Sequence, residues 1–107
     1  MAPRQTAQGS PDQTLHHRYH ALLDSRQTLT SEQKLMLALL TDAVDLTLRG
    51  DPSEHHAAAQ AWDWILGFGP AYISFEDACE AVGLEPHALR RYLKRLRTAR
   101  ARRVHRH

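Results

Sequence analysis

Nine of the fourteen Lys and Arg residues of this chain fall in its last twenty-two positions: Arg90, Arg91, Lys94, Arg95, Arg97, Arg100, Arg102, Arg103 and Arg106. No acid follows Glu85, so residues 86–107 carry +9 and residues 1–85 carry −7, behind a net charge of only +2. The chemistry open to such an end is neutralisation of phosphates. Guanidinium forks match phosphate oxygens, and clustered cations create a directional field. The acidic body should repel a polyanion and turn its approach toward the C-terminal end.

Other residue types invite chemistry less strongly. His16 and His20 stand at i, i+4, a spacing that can chelate one metal on a helix face, with His17 beside them. His55 and His56 could add a ligand only through folding, and a solvated His-rich face is expected. Asp42 and Asp45 lie one turn apart, but Arg49 follows Asp45 at i+4, which points to a salt-bridged surface. Cys79 is the single cysteine, which excludes an internal disulfide and a Cys-based zinc cluster. It reads as a small buried hydrophobe. The sequence contains no nucleophile–base pair, no glycine-rich phosphate loop and no cofactor motif. An enzyme is not expected, and no cofactor or metal is assigned.

The elements that must position these residues are helices. The 107 residues are rich in Ala, Leu and Arg and poor in Val and Ile. Four N-cap patterns of one chemical type punctuate the chain: Ser10-Pro11-Asp12-Gln13, Thr30-Ser31-Glu32-Gln33, Asp51-Pro52-Ser53-Glu54 and Ser74-Phe75-Glu76-Asp77. The first opens a helix to about Arg26. The second opens the most apolar segment, 31–49, which should be the hub of a bundle or a dimer seam. The third opens a helix from 52 to about 66, with Ala58, Ala61, Trp62, Ile65 and Leu66 on its buried face. Trp64 points elsewhere, toward the following loop or a partner. Gly67-Phe68-Gly69-Pro70 breaks the chain. The fourth opens a short helix to about Val82. After a turn at Gly83, Pro86 starts the last helix, with Leu89, Tyr92, Leu93 and Leu96 on one face. Residues 1–9 are expected to be disordered, 10–98 to form one helical domain, and 99–107 to be a frayed helix or basic tail.

The segment 75–93, FEDACEAVGLEPHALRRYL, resembles a helix-turn-helix. Ala78 and Cys79 are small where two helices must approach. Val82, Leu84, Leu89 and Tyr92 are apolar where they pack, and Gly83 sits at the turn. The segment is also similar to a group of small, uncharacterised bacterial proteins that pair a Trp-containing helix with an FSF…C…LGLDP…LR segment. The matching residues are Trp62, Ser74, Phe75, Cys79, Val82, Gly83, Leu84, Pro86, Leu89 and Arg90, with Ile73 and Glu85 departing from the pattern. That similarity covers the C-terminal half and implies a fold without an activity.

If 86–97 is a recognition helix, His87, Arg90, Arg91 and Lys94 face the DNA groove, and Arg95, Arg97, Arg100, Arg102 and Arg103 reach phosphates. Its outer face offers no Asn, Gln, Ser or Thr before Thr98, so phosphate attraction should outweigh base discrimination. The expectation is thus an all-α bundle of about five helices with a C-terminal helix-turn-helix, binding double-stranded DNA as a small bacterial transcriptional regulator. A homodimer through 31–49 or Trp64 would suit it. No apolar run is long enough for a membrane, which, with the lone cysteine, suggests a cytoplasmic, nucleoid-associated protein. Two alternatives stand beside this. One is a protein–protein adaptor whose basic end docks an acidic partner. The other is an RNA-binding protein, which would want exposed aromatics near the basic stretch.

Overall fold

The computed structural model describes residues 11–105, with side chains from 13 to 101. It is all-α: α1 (Pro11–Asp24), α2 (Ser31–Arg49), α3 (His55–Leu66), α4 (Phe75–Ala81) and α5 (Pro86–His105), with no strand among the described residues. Single 3-10 turns at Arg26–Thr28 and Pro52–Glu54 lead into α2 and α3. The expected disorder of residues 1–9 and the Ser10 cap lie outside the described residues.

Each remaining cap pattern does start a helix, in slightly different ways. Thr30 and Gln33 form a complete capping box, Thr30 Oγ1 accepting from the Gln33 N–H at 3.1 Å and Gln33 Oε1 accepting from the Thr30 N–H at 3.1 Å. Ser74 accepts from the Asp77 N–H at 3.0 Å. At Asp51 the carboxylate accepts from both the Ser53 N–H at 3.0 Å and the Ser53 hydroxyl at 2.9 Å. Glu54 does not close a box there, contrary to expectation. It pairs with Arg49 at 2.9 Å, because the intervening 3-10 turn brings it back against the end of α2.

The hub is α2, which packs against α3, α4 and α5. Leu37, Leu40, Ala43 and Val44 form its buried side. They meet Ala61 and Ile65 of α3, Phe75, Ala78 and Cys79 of α4, and Leu89 and Leu93 of α5 in one cluster with Val82, Leu84 and Leu15. Ala78 and Cys79 are fully buried, which lets α4 lie close against its neighbours. α1 docks on α5, with Leu15 buried and Tyr19, Leu22 and Leu23 packed beside it. Not all of α2 is covered: Leu35 remains 53% exposed.

Beyond residue 98, where a frayed helix or a basic tail was expected, α5 continues as a helix to His105. Its 20 residues make a rod about 30 Å long. The physical cause is an anchor the apolar periodicity does not display. Arg100 donates to the Leu48 carbonyl and, at 2.6 Å, to the Arg49 carbonyl, where α2 ends and its carbonyls lack helical partners.

Candidate nucleic-acid interface

α4, the turn 82–85 and α5 follow one another as helix, turn and long helix. Gly83 adopts φ +82°, a conformation that costs other residues a Cβ clash. The Leu84 N–H returns to the Cys79 carbonyl at 2.8 Å, closing the end of α4. Glu85 then caps α5, its carboxylate accepting from the His87 N–H at 3.0 Å and the Ala88 N–H at 3.1 Å. The His87 amide, with further help from the Ala88 amide and the charges of His87 and Arg91, holds the Glu85 carboxyl below the usual carboxylate range. Pro86 is buried at the first helical position.

The cationic residues of α5 divide into two sets by direction. Arg90, Arg97 and Arg100 lie on the side that meets the body. Arg90 Nε donates to the Ile65 carbonyl at 2.6 Å, its Nη1 pairs with Glu76 at 3.2 Å, and its guanidinium stacks 5.0 Å from the Phe75 ring centroid. Only 14% of its side chain is exposed. Arg97 covers Trp62 with 4.8 Å between guanidinium carbon and ring centroid. Arg100 caps α2. These three arginines, assigned from sequence to base or phosphate contact, spend their donors or their planar faces on α2, α3 and α4.

His87, Arg91, Lys94 and Arg95 are exposed. At 100° per residue, Arg91, Lys94 and Arg95 span one arc of the outer face. Position 102 falls on the same arc, although the side chains of Arg102 and Arg103 lie outside the described residues. The N-terminal end of this face is not purely basic. Glu76, Glu80, Glu85 and His87 line one open groove there, together with Arg18 from α1. The cationic surface therefore starts at Arg91, one turn further along than the sequence reading placed it.

Along its other flank, α5 meets α1. His16 Nδ1 lies 3.0 Å from the Tyr92 hydroxyl, and the His16 and His20 rings are 4.3 Å apart. No group of three or more His, Cys, Asp or Glu among the described residues is placed to hold a metal. Cys79 is buried, and burial pushes its thiol up to about 12, with the nearby Arg90 charge opposing.

Of the two expectations for Trp64, the following loop is the one observed: it donates Nε1–H to the Ile73 carbonyl at 2.8 Å and meets Phe75 edge-to-face at 5.6 Å. That loop, residues 67–74, exposes Phe68 and Tyr72. The Gly-Phe-Gly-Pro run marked a chain break, and nothing in it showed that the loop would lie against Arg90. No family model, curated protein or solved structure matches the chain. No helix among the described residues is long and apolar enough to cross a membrane.

Proposed function

We propose that this protein binds DNA by its phosphates, using the outer face of α5. The observation that carries the reading is the segregation of charge: nine cations and no acid in residues 86–107, set against −7 in the rest. The exposure of Arg91 and Lys94 on the outer face of α5 supports it. Arg90, one of the two arginines assigned from sequence to the groove, is engaged by Ile65, Phe75 and Glu76. Acids flank the first turn of α5, where a recognition helix would meet base edges. Both facts favour phosphate-dominated binding with little base selectivity, in line with the lack of Asn, Gln, Ser or Thr on the outer face before Thr98.

The test is a salt series on duplex DNA. Three cations of the outer face, joined by up to three more from positions 102, 103 and 106, predict a log–log slope between about −2.7 and −5.4. Replacing Arg91, Lys94 and Arg95 together by Glu should abolish binding while the helical content stays. A salt-independent affinity would sink the proposal.

One observation favours an adaptor as the second reading. Leu35, Leu39 and Leu46 line up along α2 at helical spacing, and Leu39 and Leu46 border a groove with Ala57 and Trp64. A partner helix held there would keep its affinity in the triple Glu variant.

A further inference from the structure

Residues 1–85 hold five cations against twelve acids, and two of the five, Arg26 and Lys34, meet at one cavity. The cavity measures about 300 Å³ and lies where the end of α1 and the turn at Arg26–Thr28 face the first half of α2. Leu23, Leu37 and Ala38 form its apolar wall, Leu37 being almost fully buried. Among the described residues, neither Arg26 nor Lys34 makes an ion pair or a side-chain hydrogen bond. No acid lines the cavity. Glu32 precedes Lys34 by two residues on α2, about 200° around the helix, and Asp24 stays outside the wall.

The remaining polar groups narrow the chemistry. Gln27 offers one side-chain amide to the cavity. The Thr41 hydroxyl is spent on the Leu37 and Ala38 carbonyls, at 2.9 and 3.0 Å. A sugar or nucleoside would bring hydroxyls and ring nitrogens that this wall cannot satisfy, and burying them unpaired is costly. An apolar body with a single anionic head has no such cost. Guanidinium and ammonium take the head, and the leucines take the body. At about 30 Å³ for each water-sized group, the volume admits roughly ten non-hydrogen atoms. The chain's own first ten residues supply Arg4 and no acid, so they carry no such head.

We infer that the cavity between α1 and α2 binds a small amphipathic carboxylate, with Arg26 and Lys34 holding its head and Leu23 and Leu37 its tail. A purely apolar occupant would leave both cations without a counter-charge. An inorganic anion would leave the apolar wall in water. No residue of α5 lines the cavity, so the site does not depend on the phosphate-binding reading above.

Isothermal titration calorimetry on the full chain compares octanoate, octanamide and butyrate. Octanoate should bind one to one with a dissociation constant below about 1 mM. Octanamide keeps the tail and loses the charge, and should bind at least about tenfold more weakly. Butyrate keeps the charge and loses four CH₂ groups, each worth roughly fourfold when buried, and should fall outside that range. Arg26→Gln with Lys34→Gln should bring octanoate down to the affinity of octanamide. Both side chains are exposed, so this variant should keep its circular dichroism spectrum and melting point. Ala38→Trp, at an exposed helix position, should fill the cavity and abolish binding of both eight-carbon ligands. Equal wild-type affinity for octanoate and octanamide would overturn the inference, as would octanoate binding that survives the double substitution unchanged. Absence of octanoate binding by the wild type would do the same. A wild-type dimer that Ala38→Trp dissociates would make a second copy the occupant and also overturn it.

Discussion

Arg90 Nε donates to the Ile65 carbonyl at 2.6 Å, joining the first turns of α5 to the last turn of α3. The same guanidinium lies over Phe75 and pairs with Glu76, the first two residues of α4. One side chain thus ties three helices, and it does so at a position where the sequence pattern suggests a DNA-reading arginine. A planar cation with several fixed donors can serve a carbonyl, a carboxylate and a ring face together, which lysine cannot.

Arg90→Ala should therefore destabilise the fold by about 1–3 kcal/mol, since it strands a partly buried carbonyl and removes the cover of Phe75. Arg90→Lys should recover only a minor part. Urea denaturation gives the comparison. An unchanged midpoint in the alanine variant would show that Arg90 is available for ligand after all.

The C-terminal segment makes a second, separate prediction. Arg100 occupies the end of α2 through the Leu48 and Arg49 carbonyls. Truncation after Thr98, or Arg100→Ala alone, should lower stability by about 0.5–2 kcal/mol. Thermal melts without any nucleic acid test this. If 99–107 were only an electrostatic tail, the melting temperature would not move.

Two glycines with left-handed backbone should respond differently to alanine. At Gly83 an added Cβ meets nothing within 4 Å, so the cost is the backbone term alone, about 1 kcal/mol. At Gly50 the Cβ would come within 3.0 Å of Arg100 Nε, whose guanidinium is already committed to the α2 carbonyls. Gly50→Ala should therefore cost more than Gly83→Ala in the same denaturation assay, and the reverse order would contradict the Arg100 anchor.

Two capping carboxylates predict the acid limb of stability. Amide donation by Ser53 lowers Asp51, and amide donation by His87 lowers Glu85, each below its ordinary value. A folded-state value below the unfolded one stabilises fully above the unfolded carboxylate range. That stabilisation is lost as pH falls through the lowered values. Asp51→Asn combined with Glu85→Gln should flatten the fall in melting temperature between neutral and strongly acidic pH. An identical acid limb in the double variant would count against both caps.

Cys79 gives a chemical check on the core. Its thiol, raised to about 12 by burial, should resist a disulfide reagent at pH 8 in the native state and react at once in denaturant. Rapid native-state modification would mean that α4 detaches readily.

Local rules sufficed for much of this fold. The Thr30 box, the Ser74 cap, Asp51 with Pro52, Pro86 at N1 and the glycines after α2 and α3 each encode a helix boundary within a few residues, because caps are satisfied by neighbours in the chain. Apolar spacing likewise marked α2 as the hub and Leu89 and Leu93 as the buried face of α5. The charge split between body and C-terminus is a property of sequence alone. The destination of each cation is not. A basic residue on a helix can face phosphate, a ring or an orphan carbonyl, and only the packing of distant helices decides which. Arg90 found Ile65 twenty-five residues away, Arg97 found Trp62, and Arg100 found the end of α2. The same packing left Arg91, Lys94 and Arg95 on the outer face and set the Phe68 loop beside Arg90, relationships between segments that no local pattern records.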